Sequence, residues 1–446
     1  MKKLLGIFLG LLTTLSMQAN ANCIDNTIFK SGISRSAISI SVKDVKTGHT
    51  VYKLNDNRPN MPASTLKLVT LSASLDTLGM DYEFKTQMYK TTDNNLYIKL
   101  AGDPFLSSYG LKKLFVTAKE KNIKEPKNIF IDDYIFDDVE WGEGWQWDDD
   151  LNPLMPKFSS YNIDGNLLDV IVSPTKTGAP ATVSTGKFYP ITFMNLVETG
   201  DHNDISVSRN NNISPDIINL KGLVVKQTTI KIPINNPKRY FKLRLEDSIR
   251  STKMDYYGKF NQKKLPEQNI YLVEEVTHPI TEALPAILKN SNNLVAESVF
   301  KAAGAKFVKN TGSINNSISM LDKYLEKINI NHSNIRIVDG SGVSKNNIVT
   351  ADFMSDILIK IYDNEDFVKA MPTAGEGTLS SRMLYFKDNL RAKTGTLSDV
   401  SAIAGYITSR SGKTYAFDIM INEPKSRNSD KKALEEYILR DIYTNF

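Results

Sequence analysis

Cysteine and histidine are scarce in this chain. Among 446 residues there are one cysteine, Cys23, and four histidines. One cysteine cannot close an internal disulfide, so the fold must depend on its packed core. The histidines lie far apart in sequence, which favours a nucleophile that is activated without histidine. They are His49, His202, His278 and His332.

A long hydrophobic run is also absent beyond the first residues. No later stretch approaches the roughly 20 apolar residues that a membrane-spanning helix needs. The net charge is +5, without a strongly basic cluster. A charge so small and so dispersed argues against a dedicated nucleic-acid-binding protein.

The N-terminus has the pattern of a cleavable signal peptide over residues 1–21. Lys2 and Lys3 precede a short apolar run, and small residues at 19–21 suit a cleavage site. A signal peptide on a chain without a disulfide suits a bacterial periplasm. The remaining chain is too long for one compact core, so we expect two or more domains.

Apolar periodicity predicts the elements that follow. A β-hairpin is expected over 37–52, and from 82 to about 264 short strand-like runs predict a mostly β segment with an exposed Asn-rich loop at 201–215. Helical periodicity returns from residue 280. The predicted strands are 96–100, 129–132, 167–172, 223–234, 401–408 and 415–421, and the later predicted helices are 314–328, 350–362 and 431–443.

The last of these helices is amphipathic. It could lie on a membrane surface, but packing against a sheet is favoured because its polar face mixes both charge signs. Peripheral association of the protein with a membrane or the cell wall is left open.

The most informative tetrapeptide is Ser64-Thr65-Leu66-Lys67, because an apolar helix pattern follows at once. If the helix begins near Ser64, its hydroxyl and the Lys67 amine share one face. A desolvated lysine loses its proton more readily and can act as a base for a serine. Other Ser-x-x-Lys copies lie in Pro/Gly-rich, mid-helix or helix-capping contexts; they begin at Ser173, Ser184, Ser298 and Ser429.

Two further motifs follow in order. Ser291-Asn292-Asn293 lies between two apolar helical runs, and Lys393-Thr394-Gly395 precedes a strand-like stretch. Competing Lys-Thr-Gly copies at Lys46 and Lys176 are in a turn and a loop. The best rival to Ser291 is Ser344, in a Gly-rich loop. The ordered triplet Ser-x-x-Lys, Ser-x-Asn and Lys-Thr-Gly is the combination of penicilloyl serine transferases.

Beyond these motifs, the chain resembles the class C low-molecular-mass penicillin-binding proteins, the D-alanyl-D-alanine carboxypeptidase/endopeptidase family. The long separation between the first two motifs is similar as well. The stretches that carry the resemblance are Met61–Lys67, Ala101–Pro104, Gly144–Asp149, Lys289–Glu297, Asp339–Gly342, Gly377–Leu379 and Ala392–Ser398.

The resemblance implies an α/β (α+β) fold of the serine DD-peptidase/β-lactamase-like type. Its catalytic transpeptidase-like domain, an antiparallel sheet flanked by helices, would be built from residues 24–85 and 266–446. Residues 86–265 would be an inserted β-rich region, divided into two subdomains.

The resemblance also implies a mechanism on peptidoglycan stem peptides. Ser64 would form an acyl-enzyme, with Lys67 as base, Ser291 as proton relay and Lys393 supporting them electrostatically. No metal or organic cofactor is implied, and β-lactam antibiotics would be covalent inhibitors. The oligomeric state is left open. The implied substrate-binding residues are Asn293 for the backbone amide, Thr394, Gly395 and Thr396 for the terminal carboxylate, and Asp149 for a diaminopimelate amine.

Two alternatives remain at this stage. A serine β-lactamase uses the same triplet, although we find no recognisable Glu-containing deacylation loop and the large insertion disfavours it. A non-catalytic cell-wall-binding scaffold would keep the fold, but the intact Ser64, Lys67, Ser291 and Lys393 argue against it.

Overall fold

The computed structural model describes residues 22–209 and 213–446. The predicted signal peptide, residues 1–21, lies outside the described residues. Within the described ranges, none of the helices combines the length and apolar character needed to cross a bilayer.

Sixteen strands are found in the described part of the chain. In chain order they are β1 (Ile38–Asp44), β2 (Thr50–Leu54), β3 (Glu83–Thr91), β4 (Leu96–Lys99), β5 (Ile129–Asp132), β6 (Leu167–Ser173), β7 (Thr182–Thr185), β8 (Thr192–Thr199), β9 (Asp204–Arg209), β10 (Ile217–Val224), β11 (Thr228–Pro233), β12 (Phe260–Gln262), β13 (Ile270–Pro279), β14 (Leu390–Thr396), β15 (Val400–Thr408) and β16 (Thr414–Asn422).

The α-helices of the described ranges complete the inventory. They are α1 (22–31), α2 (Lys67–Leu78), α3 (Ser108–Glu120), α4 (Pro237–Thr252), α5 (Ala283–Leu288), α6 (Asn293–Val308), α7 (Ile314–Lys327), α8 (Ala351–Ile361), α9 (Glu365–Ala370) and α10 (Asn428–Asn445).

The central sheet is antiparallel and joins the two ends of the described chain. Its strand order is β14-β15-β16-β1-β2. Nearly every residue of β15 and β16 is buried, because both faces of the sheet are covered. Apolar residues of α1 and α10 pack on one face, and α8 and α2 contribute to the core on the other. This antiparallel sheet with helices on both faces confirms the predicted fold class.

The middle of the chain forms a second core. A five-stranded sheet, β12-β5-β4-β3-β13, is accompanied by two three-stranded sheets, β8-β10-β9 and β11-β6-β7. Apolar residues of α3 and α4 belong to the same core. The segment is therefore rich in strands, but it also contains two long helices that the sequence interpretation did not include.

Two local predictions differ from the structure. The predicted strand 223–234 is two strands, β10 and β11, which belong to different sheets. The predicted loop 201–215 contains β9, which pairs with β10. Alternate side chains of β9 are half-buried, as in a strand with one solvent-facing side. The predicted domain division stays a prediction; β3 and β13, which lie near its boundaries, pair with each other.

Candidate active site

Ser64 and Lys67 lie at the start of α2. Ser64 is in a single 3₁₀ turn, Ala63–Leu66, and Lys67 is the first residue of the α-helix proper. Three-residue spacing places the two side chains on one face, and Lys67 Nζ lies 2.8 Å from Ser64 Oγ. Ala63 has φ of +49°, an unusual conformation for a residue with a side chain, immediately before the serine.

The Lys67 amine is completely buried and is surrounded by three acceptors. Besides Ser64 Oγ, it donates to Asn293 Oδ1 at 2.7 Å and to the Ser341 carbonyl at 2.6 Å. Desolvation lowers the pKa of Lys67 to about 7, partly offset by the nearby carboxyl groups of Asp339 and Glu297. The amine therefore changes protonation state close to neutral pH.

A second lysine–serine pair faces the same cleft. Lys393 Nζ donates to Ser291 Oγ at 2.8 Å and to the Thr394 carbonyl at 2.7 Å. Burial lowers the pKa of Lys393 well below its usual range, and Lys67 adds to the effect. Ser291 occupies the loop between α5 and α6 with φ of +56°. Asn292 caps α6, since its side chain accepts from the Val295 N–H.

Strand β14 forms the other wall of the site. A Cβ at Gly395 would lie 2.8 Å from the Pro62 carbonyl oxygen and 2.9 Å from the Ser64 nitrogen, so only glycine lets the strand approach so closely. Thr394 Oγ1 donates to Thr378 Oγ1 at 2.8 Å. Thr396 is exposed at the end of the strand. The predicted residues 393–396 thus run directly past the serine.

A cavity of about 520 Å³ is lined by five of the predicted site residues besides Asp149: Ser64, Ser291, Asn293, Thr394 and Thr396. Asp149, from the middle segment, lies on its wall and is half-buried. Among the described residues, its carboxylate has neither an ion pair nor a side-chain hydrogen-bond partner. The other residues that line the cavity were given no role by the sequence interpretation: Gln146, Asn152, Leu154, Met155, Asn290, Val343, Lys345, Thr378, Leu397, Ser398 and Asn428.

A buried loop, residues 339–342, contacts Lys67. Asp339 accepts hydrogen bonds from the Gly342 and Ser344 N–H groups, from Asn347 Nδ2 and, at 2.9 Å, from the indole of Trp145. The loop from 339 to 342 supplies the Ser341 carbonyl that contacts Lys67. The sequence interpretation included Asp339–Gly342 in the resemblance, but it assigned no role to the loop.

Glu297 is a further residue that the sequence interpretation gave no role. It is fully buried in α6 and accepts from the Gly340 N–H at 2.9 Å. Burial, with Asp339 next in importance, raises the pKa of Glu297 to about 8. Its position four residues after Asn293, on the same face of α6, was the signal that could have indicated a place near the cleft.

None of the serines and lysines that begin the competing motif copies lines the cavity. Lys46 and Lys176 are exposed in a turn and a loop, and Ser298 is buried inside α6. Ser344 is buried beside Asp339 rather than facing Lys393. No group of His, Cys, Asp and Glu side chains suited to hold a metal ion occurs within residues 22–209 and 213–446.

The site thus contains two buried lysines, each hydrogen-bonded to a serine. A family model described as the D-Ala-D-Ala carboxypeptidase 3 (S13) family matches residues 20–440. The chain belongs to that family, which confirms the resemblance inferred from the motifs. Membership makes it a hydrolase of the carboxypeptidase type.

Individual relatives agree with this assignment. The chain is 26% identical over 442 residues to the D-alanyl-D-alanine carboxypeptidase DacB of Haemophilus influenzae, covering 92% of this chain and 91% of that one. It is 25% identical over 434 residues to the D-alanyl-D-alanine carboxypeptidase of Actinomadura sp. strain R39, covering 90% and 80%.

Solved structures extend the similarity to the fold. The crystal structure of penicillin binding protein 4 (dacB) from Haemophilus influenzae superposes with a TM-score of 0.81 at 24% identity, covering 94% of this chain and 98% of that one. A second structure of that protein, complexed with a β-lactam, gives a TM-score of 0.78 at 23% identity and covers 94% and 99%.

Proposed function

We propose that this protein is a periplasmic serine-type D-Ala-D-Ala carboxypeptidase and DD-endopeptidase that acts on peptidoglycan stem peptides and is inhibited by β-lactams. The observation that carries the proposal is the 2.8 Å contact between Ser64 Oγ and a lysine amine that is completely buried. A serine in this setting can be activated without histidine.

The proposed first step is acylation of Ser64. A neutral Lys67 amine has two N–H donors, which suit Asn293 Oδ1 and the Ser341 carbonyl, and one lone pair, which is left for the Ser64 hydroxyl proton. Ser64 Oγ then attacks the carbonyl carbon of the D-Ala–D-Ala bond. The backbone N–H groups of Ser64 and Thr396 would stabilise the oxyanion, each contributing about 3 kcal/mol.

The leaving amine needs a proton, and Ser291 would relay to it the proton that Lys67 took from Ser64. The Ser291 hydroxyl lines the cavity and accepts a hydrogen bond from Lys393 Nζ at 2.8 Å. The buried Lys393 amine would support this relay electrostatically. Water then attacks the acyl-enzyme, releases the shortened peptide and regenerates Ser64.

The remaining polar groups would orient the substrate. Asn293 would bind the substrate's backbone amide; its Nδ2 now donates to the Leu154 carbonyl at 2.8 Å, so this bond would be exchanged or shared. Thr394, Gly395 and Thr396 would bind the terminal carboxylate along the edge of β14. A D-Ala–diaminopimelate cross-link presents similar chemistry, which motivates the endopeptidase activity.

Covalent labelling with fluorescent penicillin tests the nucleophile. Ser64→Ala should abolish labelling and the release of D-Ala from a pentapeptide, with an unchanged circular dichroism spectrum. Ser173→Ala, in another Ser-x-x-Lys copy, is the matched control and should retain both activities. A penicilloyl adduct on a serine other than Ser64 would contradict the assignment.

The same assays separate the rival functions. An unmodified protein that is never labelled would be a scaffold. One that hydrolyses penicillin rapidly but leaves the pentapeptide intact would be a β-lactamase. Digestion of purified cross-linked muropeptides measures the endopeptidase activity directly.

We also propose that Asp149 selects the substrate. Its carboxylate lines the cavity without an ionic partner among the described residues, so it could pair with the side-chain amine of diaminopimelate. A charge-assisted hydrogen bond of this kind contributes about 1–3 kcal/mol when it is partly buried.

Asp149→Asn should therefore lower kcat/KM for a diaminopimelate-containing peptide, while the rate of penicillin acylation hardly changes because penicillin lacks that amine. The neighbouring Asp148→Asn is the matched control, since Asp148 is exposed and does not line the cavity. If both rates fell together, or if neither changed, Asp149 would have no role in substrate selection.

A further inference from the structure

A second cavity adjoins the proposed active site. Its volume is about 260 Å³, and two tryptophans, Trp141 and Trp147, contribute to its wall. Trp147 is 80% exposed, which is unusual because tryptophan has the largest side chain and is mostly buried in proteins. Polar groups share the rim: Asp150, Lys157 and Asn235.

The walls of this cavity are held by contacts outside it. The buried guanidinium of Arg209 lies 2.9 Å from the Asp150 carboxylate, and it donates to the Pro233 carbonyl at 3.0 Å. Trp141 packs edge-on against the buried Trp145, with ring centroids 5.0 Å apart. The cavity is therefore preformed, and Trp147 is its one strongly exposed aromatic side chain among the described lining residues.

The cavity and the cleft share a wall. In the short segment 146–150, Gln146 and Asp149 line the cleft that contains Ser64, whereas Trp147 and Asp150 line the second cavity. The two cavities therefore lie against the same five-residue segment, so a ligand that contacts Asp149 in the cleft is close to the second cavity.

We propose that this cavity is a saccharide subsite, which binds an N-acetylated amino sugar of the glycan strand against the face of Trp147. The inference rests on the proposed function: a stem peptide carries its sugar at the end opposite to D-Ala–D-Ala. An indole presents an apolar face to the C–H face of a sugar ring, and the polar rim suits its hydroxyl and amide groups. The cavity volume of about 260 Å³ is smaller than the roughly 300–1,000 Å³ of common ligand pockets, so the cavity suits one sugar ring rather than a longer saccharide.

Equilibrium binding tests the subsite independently of catalysis. In the Ser64→Ala background, calorimetry compares a disaccharide pentapeptide with the same pentapeptide lacking sugar. We expect the disaccharide to bind more tightly, and we expect Trp147→Ala to remove about five- to tenfold of that preference, the contribution of one aromatic stacking contact. Affinity for the sugar-free peptide should not change.

Two variants serve as controls. Tyr257→Ala removes an aromatic ring that is 96% exposed and lines neither cavity, so it should leave the preference intact. Trp147→Phe should retain part of it. Equal loss of affinity for both peptides in Trp147→Ala, or no preference for the disaccharide in the parent, would overturn the subsite. Failure of the unmodified protein to release D-Ala would instead overturn the proposed function.

Discussion

At the scale of single residues, the burial of Lys67 has the largest chemical consequence. Its amine has no exposed surface, and its three contacts are all oxygen acceptors. Desolvation favours the neutral amine, while Asp339 and Glu297 favour the charged one. Desolvation is the larger effect, so the pKa of about 7 leaves a substantial neutral fraction at physiological pH.

This balance predicts a pH dependence for acylation. Below about pH 7 Lys67 takes up a proton and can no longer accept one from Ser64, so the rate should fall as the pH decreases. Above that pH the rate should rise to a plateau. Stopped-flow acylation by penicillin from about pH 5 to about pH 9 measures the midpoint.

Lys67→Arg is the companion variant for this titration. A guanidinium stays charged over the whole range, so this variant should acylate slowly without a midpoint near 7. Circular dichroism at each pH controls for unfolding. A flat profile in the unmodified protein would show that the base is already neutral throughout, or that it is another group.

Contacts between residues close in sequence could be predicted, whereas contacts between residues far apart in sequence could not. The meeting of Ser64 and Lys67 is local, and helix geometry alone indicates it. Lys67 and Asn293 are 226 positions apart, and no periodicity connects them. The three motifs were brought together by their order and by family resemblance. The contact of Ser341 with Lys67 could not be inferred because it arises from tertiary packing, and helix spacing from Asn293 indicates only that Glu297 lies near the cleft.

At the scale of elements, the register of β14 determines how the site is assembled. The strand pairs with β15 so that Lys393 lies opposite Ala404 and Gly395 opposite Ala402. Lys393 and Gly395 are two residues apart and therefore lie on the same face of the strand, and at Gly395 the backbone meets the Ser64 turn. The absence of a side chain there allows the strand edge to lie beside the serine.

Gly395→Ala tests this close approach. The added methyl group would meet the Pro62 oxygen at 2.8 Å, the Ser64 nitrogen at 2.9 Å and Ala63 Cβ at 3.0 Å, all parts of a turn that is difficult to move. We expect β14 to shift away and acylation to slow by at least about tenfold, or about 1.4 kcal/mol. The second-order acylation rate with penicillin is the measurement.

Gly186→Ala is the matched substitution. Its added Cβ would find only Asp169 Cβ, at 3.9 Å, so acylation should be unchanged. An unaltered rate in Gly395→Ala would mean that the turn before Ser64 yields easily, and that the close approach is not required for catalysis.

The elements themselves were predicted where the pattern was long and regular. The predicted helices at 314–328 and 350–362 are α7 and α8. The helix α4 was missed although it has clear signals, an Asn236 cap and Pro237 in the first turn. Its buried face includes Arg244, whose charge interrupts the apolar periodicity that identifies a helix from sequence.

At the scale of the whole molecule, the middle segment contributes to the site from a distance in sequence. The Leu154 carbonyl accepts from Asn293, and the Trp145 indole donates to Asp339. Trp145 packs with Phe158, Met155 and Leu294 in a small core of its own. The middle segment therefore supports the loop whose Ser341 carbonyl contacts Lys67, in addition to forming a wall of the cavity.

Trp145→Phe isolates this long-range support. The substitution keeps an aromatic ring but removes the N–H that donates to Asp339, a carboxylate with no exposed surface. We expect the free energy of unfolding to fall by about 1–3 kcal/mol, since a buried charged acceptor loses one donor. We also expect slower penicillin acylation, because the 339–342 loop can then shift relative to Lys67.

Trp141→Phe is the matched control in the same segment, as its indole has only a 3.4 Å contact with the Trp145 carbonyl. Denaturant unfolding and stopped-flow acylation give the two readouts. A loss of stability with an unchanged acylation rate would show that the hydrogen bond holds the two parts together without influencing the lysine.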